Sequence, residues 1–306
     1  MSLRQYKVDA AQTAFYYQQL LKRSSKAFSV RYEELLARSL FPLLSDGPSF
    51  ADDAWVYQTW DGTGEAAVIG DYADDLPTAD AFLKENLTRH VPITSSVIMN
   101  FKEMQKDRQT GTGLLARKQE RAVRAVEQKI HSCALQGDDA RMVPGFLTNP
   151  NLPDPLSAAG DWATASTDDV LDNLHEIANA PPANTLNIET VDTMLMPVRE
   201  FHLISTRRLP DSDMTVRSHF MMATPYIKNI TVLPELATAD VAGTGPRVIA
   251  YRRDENALAL NIPMNPQWMP SQEKNLTTMW PLISACGGVI VFLPESISRM
   301  DGMGVP

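Results

Sequence analysis

The most regular pattern of apolar and polar positions lies between Leu114 and Leu135 and predicts an α-helix. Its apolar residues recur at spacings of three and four and form one stripe: Val123, Val126, Ile130 and Ala134. The basic residues of the segment lie elsewhere on the helix surface. A helix of about 22 residues is roughly 33 Å long. Gly137 predicts where it ends, and Pro144-Gly145 predicts the turn that follows.

Before this helix the pattern changes to short β-branched and alternating runs. Val56–Trp60 and Ala66–Ile69 predict two strands around the turn "DGTG", and "VPITSSVIMNF" predicts a third. Between them lies an acidic stretch that contains Pro77. So long an excursion has little to bury by itself. Excursions of this kind are usually functional or lie on a partner.

The first 42 residues have a helical pattern of their own. "YYQQLLKR" and "RYEELLARSLF" combine helix formers with apolar residues at spacings of three and four, so residues 10–42 are predicted to be rich in helix. Pro42, Gly47 and Pro48 then break the pattern. The N-terminus therefore resembles an arm joined by a loop.

The second half of the chain mixes both periods. "DWATASTDDVLDNLHEIANA" predicts a loop and then a helix capped by Ser166 or Thr167, and "ANTLNIETVDTMLMPVREF" predicts a strand and then a helix. "YIKNITVLPEL" predicts a strand, and "RDEN" predicts a hairpin between Val248–Tyr251 and Ala257–Ile262. The apolar run in "ACGGVIVFLPESI" is typical of a strand buried on both faces. The predicted class is α+β.

Composition narrows the class of protein. The 306 residues are 44% apolar and 21% charged, as in ordinary folded domains. The chain has no apolar run long enough for a bilayer and no signal-peptide core. The two cysteines, Cys133 and Cys286, are therefore expected to be buried thiols rather than a disulfide.

Charge is distributed in blocks, although the net charge is −9. Residues 1–31 hold six bases and one acid, residues 51–80 hold eight acids and no base, and residues 101–129 hold eight bases and four acids. Any one block can simply be a solvated face. Three alternating blocks also fit pairing between subunits.

Most candidate motifs for catalysis or binding lack the neighbouring sequence that such a site requires. Gly111-Thr112-Gly113 with Ala116 fits a dinucleotide fingerprint, but a polar stretch precedes it instead of a strand. The five histidines have no metal-ligand spacing, and no nucleophile elbow occurs. The doublets of aspartate are typical of turns and caps. The sequence thus predicts no catalytic, cofactor-binding or metal site.

Three short stretches, taken in order, carry a family resemblance. In "VEQKIHSCALQGDDARMVPGFLTNPN" (residues 126–151) a helix with an acid leads to a glycine and then to a G-L-L-N-like turn, here Gly145-Phe146-Leu147-Thr148-Asn149. "DWATAST" precedes a helix, and "GGVIVFLPESI" is a closing strand. With the arm, excursion and long helix before them, these resemble the major capsid proteins of tailed bacteriophages of the HK97 type, which encapsulin shells share. Phe-Leu-Thr replaces Leu-Leu, and no scaffolding segment is detectable at the front.

The resemblance implies an α+β, HK97-like capsid fold with a spine helix. Its expected parts are an N-terminal arm (1–50), an extended loop (51–105), a peripheral domain with the spine helix (106–160), an axial domain (161–254) and the return strands of the peripheral domain (255–306). In such a fold, the turn after the spine helix connects the peripheral and axial domains. It needs shape rather than chemistry.

The resemblance also implies a function. The expected role is a structural major capsid protein, not an enzyme, that assembles itself as hexamers and pentamers into an icosahedral shell around double-stranded DNA. The implied partners are other copies, packaged DNA bound non-specifically on the inner face, and separate scaffolding, portal or decoration proteins, with no cofactor and no membrane. The implied location is the virion, after assembly in the host bacterial cytoplasm.

The charge blocks suggest a specific contact between subunits. The acidic excursion is expected to lie over a neighbour's basic helix face, and the residues concerned are Asp61, Glu65, Asp71, Asp74, Asp75, Arg117, Lys118, Arg121 and Arg124. The basic arm (Lys22, Arg23, Lys26) is a candidate for contact with scaffold or DNA, or is simply solvated. Two alternatives stay open: an encapsulin-like compartment around a protein cargo, and an enzyme of unrelated α+β fold.

Overall fold

The structure is a computed structural model that describes residues 32–64, 78–210, 212–240 and 245–304. The chain divides into residues 1–34 and a compact unit of residues 35–306, and every described helix and strand belongs to the second unit. Six α-helices lie in the described ranges: α1 (Ala37–Leu40), α2 (Phe101–Thr110), α3 (Leu114–Gln136), α4 (Thr167–Asn184), α5 (Val198–Thr206) and α6 (Val216–Ala223). None of these described helices is long and apolar enough to cross a membrane.

Thirteen strands and three short 3₁₀ helices complete the described elements. The strands are β1 (Ala54–Gly64), β2 (Ala79–Arg89), β3 (Val91–Asn100), β4 (Leu156–Ser157), β5 (Thr193–Met196), β6 (Asn229–Val232), β7 (Arg247–Tyr251), β8 (Leu258–Leu260), β9 (Met264–Trp268), β10 (Gln272–Lys274), β11 (Thr277–Cys286), β12 (Val289–Val291) and β13 (Ile297–Asp301). The 3₁₀ helices are Asp139–Arg141, Pro234–Thr238 and Pro294–Ser296.

The predicted long helix is α3, and its apolar stripe is confirmed. Val126, Ile130 and Ala134 are buried, and Val123 is half-buried. Val123, Val126 and Ile130 pack on the antiparallel pair of β3 and β11, whose other neighbours are β9 and β10. Ala134 packs in the neighbouring cluster with Phe41 and Phe146. Alternate residues of β3 point at the helix, as expected for the strand predicted at "VPITSSVIMNF".

The start of α3 is capped from the preceding helix. Asp107 in α2 accepts hydrogen bonds from the amide of Leu114 at 2.8 Å and from the hydroxyl of Thr112 at 2.7 Å. These bonds hold the pKa of the Asp107 carboxyl below its usual range. Helix α2 was not predicted, because it is polar and none of its residues is buried. The turn at Gly111–Gly113 therefore joins two helices, which contradicts a strand–turn–helix nucleotide site.

A second sheet holds the central part of the chain. Its strand order is β4-β13-β7-β5-β6, and α4, α5 and α6 pack on it around a fully buried apolar cluster. The predicted cap of α4 is confirmed at Ser166, which forms a capping box with Asp169. The strand and helix predicted around residue 195 are β5 and α5, and the next predicted strand is β6.

The hairpin predicted at "RDEN" is wrong. Strand β7 pairs with β5 and β13, whereas β8 pairs with β12, so the two strands belong to different sheets. All their residues are buried, and such strands find partners on both sides through distant segments. The predicted doubly buried strand near the C-terminus is confirmed as β12.

The turn predicted at "DGTG" is also wrong. Residues 61–64 continue β1, and they pair with residues 79–82 of β2, from Asp61 opposite Phe82 to Gly64 opposite Ala79. Strand β2 was missed, because its alternation is weak and its partner comes from across the acidic stretch. The strand predicted at Ala66–Ile69 lies outside the described residues.

The helix predicted over "RYEELLARSLF" is mostly absent from its described part, where α1 alone is helical. The remainder of the N-terminal prediction lies outside the described residues. Tertiary contacts replace helical ones here, since the carbonyl of Leu40 accepts from the Tyr251 hydroxyl at 2.8 Å and from Arg253 Nε at 3.2 Å. Leu40 and Phe41 are both buried in the core.

Candidate functional site: assembly surfaces

The turn after α3 closes the end of that helix. The last carbonyls of a helix have no partner within it and must be satisfied from outside. The amides of Phe146 and Leu147 donate to the carbonyls of Ala134 and Leu135, both at 2.8 Å. The Thr148 hydroxyl donates to the Gln136 carbonyl at 2.8 Å. The residues of this turn therefore satisfy the last carbonyls of α3.

Glycines let the turn approach the helix this closely. A Cβ atom on Gly145 would lie 2.2 Å from the backbone of Gln136 and Gly137. Gly288, at φ +71°, sits so near the Pro144 carbonyl that a Cβ atom would be 1.9 Å from its oxygen. The Val289 amide donates to that same carbonyl at 3.1 Å. Helix end, turn and β12 thus form one backbone-to-backbone junction.

Three aromatic rings join this turn to the rest of the core. Phe146 lies 4.8 Å from Phe41 and 5.4 Å from Tyr251, centroid to centroid. All three rings are fully buried, and burial raises the pKa of the Tyr251 hydroxyl. The phenylalanine that departs from the family pattern therefore fills the centre of a cluster between the α1 segment and β7.

A histidine makes a second link beside the rings. His131 in α3 accepts the Ala37 amide at Nδ1 (3.2 Å) and meets the Glu235 carboxylate at Nε2 (2.7 Å). The first contact makes Nδ1 the acceptor, so Nε2 carries the proton that is donated to Glu235. That bond lowers the pKa of Glu235.

A basic groove runs between α3 and β3. Arg117, Lys118 and Arg121 line it, above a floor formed by Val97, Ile98, Leu114 and Ala122. Arg117 and Arg121 are exposed and stand one helical turn apart on the same face. The groove therefore combines a cationic rim with an apolar floor.

The four predicted bases are not all in one place. Lys118 Nζ pairs with Glu103 at 2.7 Å, which lowers the pKa of that carboxyl, and also donates to the Ile98 carbonyl at 3.3 Å. Arg124 lines a different surface of the helix, with Val123, Glu127 and Leu35. Arg117 and Arg121 are thus the predicted bases that the structure places exposed on the groove.

The hairpin of β1 and β2 is covered only near its root, and there on one face. At its root, Trp55 and Tyr57 stack at 5.3 Å, and Tyr57 meets the ring of Phe292 edge-on at 5.1 Å. The opposite face carries Val56 paired with Leu87 and Trp60 paired with Leu83. All four are exposed, Trp60 by 70%. We call these four residues the apolar face of the hairpin.

The predicted acidic residues fall mainly beyond the described ranges. Asp61 lies on β1 and is exposed, next in sequence to Trp60 but on the other face. Glu65, Asp71, Asp74 and Asp75 lie outside the described residues.

The apolar face was missed by reasoning from the sequence. The signal was present: Trp55, Val56, Tyr57 and Trp60 put large apolar residues on both faces of one strand. In a hairpin with only two strands, one such face stays uncovered unless something else packs on it. Recognising this required knowing that no third strand joins β1 and β2 among the described residues, as the sheet order shows.

Comparison with solved structures shows a fold shared with viral shells. The capsid of Myoviridae phage XM1 matches with a TM-score of 0.79 and 15% identity, over 93% of this chain and 97% of that chain. The capsid of a native GTA particle matches with a TM-score of 0.66 and 10% identity, over 97% and 100%. A virus-like particle from Pyrococcus furiosus matches with a TM-score of 0.50 and 9% identity, over 86% and 90%. At these identities the likeness concerns the fold.

These likenesses define the fold as HK97-like, the fold of the capsid structures compared. Residues 64–303 match the major capsid protein family, and the chain belongs to that family. Its role is therefore that of a structural subunit that self-assembles into a capsid shell. Among curated protein sequences, none matches the chain.

Proposed function

We propose that this protein builds the closed icosahedral shell of a tailed bacteriophage around double-stranded DNA. The match of residues 64–303 to the major capsid protein family carries the proposal. The subunit forms hexamers and pentamers by shape and contact, without catalysing a reaction. Assembly takes place in the host bacterial cytoplasm, with separate scaffolding, portal or decoration proteins.

We assign the parts of the chain as the family resemblance suggests. The arm is 1–50, the extended loop 51–105, the spine-helix peripheral domain 106–160, the axial domain 161–254 and the return strands 255–306. Support comes from the hairpin of β1 and β2 in the second range and from α3 in the third. The turn after α3 (residues 144–149), which we call the corner turn, then lies where the peripheral domain passes into the axial domain.

We propose that charge sets the register between neighbouring subunits. The acidic excursion (Asp61, Glu65, Asp71, Asp74 and Asp75) lies over the basic groove of a neighbour, where Arg117 and Arg121 face it. Lys118 also pairs with Glu103 of its own chain, and Arg124 lies on a different surface of the helix. Exposed ion pairs contribute about 0–1 kcal/mol each, so they guide register more than they hold the shell.

The apolar face of the hairpin supplies most of the contact energy under this proposal. Covering a large apolar side chain such as Trp60 contributes roughly 1.5–3 kcal/mol. A shell subunit meets several neighbours at once, so contacts of this size add up although none is tight alone.

Charge reversal tests the register. The variant Arg117→Glu/Arg121→Glu is expected to assemble poorly at low salt, and Asp74→Lys/Asp75→Lys likewise. Combining the four changes should restore part of the yield, because opposite charges face each other again. The measurement is shell yield by sedimentation across a salt series. Unchanged yield and salt dependence in both double variants would contradict the pairing.

The basic arm has a separate proposed role in meeting scaffold or packaged DNA on the inner face. Its residues lie outside the described part of the chain, so the support is charge alone. A truncation that lacks residues 1–31 is expected to form shells with less nucleic acid. Normal packaging by that variant would make the arm an ordinary solvated segment.

An encapsulin-like compartment is the alternative use of the same fold. It differs in its contents, which would be a protein cargo instead of DNA. Mass spectrometry and nucleic-acid staining of shells purified from their native background distinguish the two.

A further inference from the structure

One edge of strand β3 has no partner strand among the described residues. The sheet order places β11 on one side of β3, while β9 and β10 pair with the other side of β11. Strand β3 therefore ends the sheet, and its outer edge runs along the ten residues from Val91 to Asn100. Such an edge is a row of backbone groups that can pair with another extended chain.

The pairing with β11 determines which backbone groups of β3 face outward. Pro281 lies opposite Ser96, and its carbonyl accepts from the amide of Met269, directly after β9, at 2.9 Å. Because the Pro281 carbonyl points away from β3, Ser96 is in a pair without mutual hydrogen bonds and directs its own amide and carbonyl outward. By the alternation of a strand, Thr94 and Ile98 do the same.

The two ends of this edge are protected, and its middle is not. The Ile98 carbonyl accepts from Lys118 Nζ at 3.3 Å, which independently agrees with its outward direction. At the other end, Pro92 has no amide hydrogen to donate. Lysine and proline are two common means of blocking pairing at a sheet edge. Between them lie the outward amides of Thr94, Ser96 and Ile98.

This edge forms one wall of the basic groove. Ser96 and Ile98 line the groove together with Arg117 and Arg121 of α3. An added strand would find hydrogen-bond partners on β3, an apolar floor below and positive charge on the rim. Segments that join a sheet edge gain affinity from main-chain hydrogen bonds and specificity from the side chains around them.

The excursion at the far end of the hairpin has the chemistry that fits this groove. Residues 65–77 hold four acids and no base, and within them Ala66–Ile69 is predicted to be a strand. The acids suit the cationic rim, and the aliphatic side chains suit the apolar floor. The arm has the opposite charge, with six bases and one acid in residues 1–31.

The length of the hairpin gives this segment a long reach. Strands β1 and β2 pair with each other along 11 residues and form a sheet separate from that of β3. At about 3.3 Å per residue, the far end of the hairpin is about 33 Å from its root. A projection of this length is suited to contact with a neighbouring subunit.

We propose that residues 65–77 of one subunit add a strand to the outer edge of β3 in a second subunit. The inference rests on the proposed shell function and gives the charge pairing a geometry. Main-chain hydrogen bonds to β3 hold the added strand, and its acids meet the arginines on the rim of the groove.

A synthetic peptide of residues 65–77 tests the site on full-length subunits, kept below the concentration at which shells form. Hydrogen exchange is measured at single amides with and without the peptide. The amides of Thr94, Ser96 and Ile98 should exchange about tenfold more slowly, or slower still, when the peptide is bound. A peptide that fails to bind, or binds without slowing these amides, would overturn the proposal. So would a peptide of residues 1–31 that slows them in its place, because the edge would then belong to the arm.

Proline variants test the hydrogen bonds directly. Ser96→Pro removes one outward amide and leaves the bonds between β3 and β11 in place. It should weaken peptide binding about tenfold, because a main-chain hydrogen bond is lost. Equal binding by this variant and the wild type would contradict an added strand. If Ser96→Pro does not fold, the exchange measurement on the wild type decides alone.

Glu273→Pro is the matched control. Glu273 lies opposite Thr278, which lies opposite Met99 in the hydrogen-bonded register of β3 and β11, so the Glu273 amide faces away from β11. The variant therefore places a proline at an outward position of the same sheet, but on β10 instead of the groove. It should bind the peptide as the wild type does.

Failure of this inference and failure of the shell function give different results. Shells whose β3 amides exchange as fast as in free subunits would remove the added strand and leave the shell function standing. Slowed amides with the peptide, in a protein that forms no shells, would keep the docking edge and remove the shell function.

Discussion

The glycines of the corner turn allow two backbone segments to approach more closely than any side chain would permit. A Cβ atom on Gly145 would overlap the backbone of Gln136 and Gly137, and one on Gly288 would overlap the Pro144 carbonyl oxygen. Gly111 and Gly113 have left-handed backbone, yet a Cβ atom there would meet nothing within 4 Å. Substitution of a crowded glycine such as Gly145 is therefore expected to lower stability more than substitution of an open one such as Gly111.

Gly145→Ala should destabilise the subunit by about 3 kcal/mol or more, because the added carbon overlaps backbone that cannot move aside. Gly111→Ala is the matched control and should cost only about 1–2 kcal/mol, since it adds strain without a clash. Thermal unfolding of the two purified variants measures the difference. Equal melting temperatures would mean that the turn relaxes and that the junction is not rigid.

Glu235 predicts a pH dependence. His131 lowers the Glu235 pKa from its reference of 4.5, so the ionised carboxylate stabilises the fold above that pH, and this contribution is lost as the pH falls through the lower folded value. Glu235→Gln should therefore lower stability by about 1 kcal/mol at pH 7. The melting curves of the variant and the wild type should converge as the pH falls through the lowered Glu235 pKa. A constant difference from pH 3 to 7 would contradict the ionic part of this contact.

The roles of residues that act on their neighbours in sequence were predictable. The roles of residues that act through partners far away in sequence were not. Gly137 ends its helix and Ser166 caps its helix through neighbours a few positions away. Phe146 and His131 act through Phe41, Tyr251, Ala37 and Glu235, and no local pattern connects these positions.

Among the elements, the hairpin of β1 and β2 has the clearest uncovered surface. Trp60→Ala should leave the melting temperature of the subunit nearly unchanged, because the side chain is 70% exposed before assembly. The same change should reduce shell yield strongly, because the apolar face loses its largest side chain.

Phe82→Ala is the matched control, since Phe82 is on the same hairpin and is exposed, but on the other face. It should affect shell yield less than Trp60→Ala does. Light scattering and sedimentation of both variants under assembly conditions give the comparison. If the two variants assemble alike, the apolar face has no special part in the contact.

The long helix was predictable because one apolar stripe runs along its C-terminal half and one glycine ends it. The hairpin was only half predictable, because β2 takes its structure from a partner rather than from its own alternation. The strands β7 and β8 were placed correctly but paired wrongly, since buried strands look alike in sequence whichever sheet they join. Helix α2 was not predictable from an apolar stripe, because it is polar and none of its residues is buried.

For the complete subunit, the order of features along the chain was more informative than any single motif. The arm, excursion, long helix, central domain and closing strands resemble the capsid proteins of tailed phages, and the family match over residues 64–303 confirms that class. The proposed assembly surface was harder to predict, because contacts between copies depend on the folded shape and the sequence of one copy shows only the charge of its residues.

Electron microscopy of the purified protein, expressed alone and with its neighbouring genes, tests the central claim most directly. We expect closed icosahedral shells, with double-stranded DNA inside those made in the complete background. Small uniform oligomers under both conditions would contradict the assignment of this chain as a shell subunit.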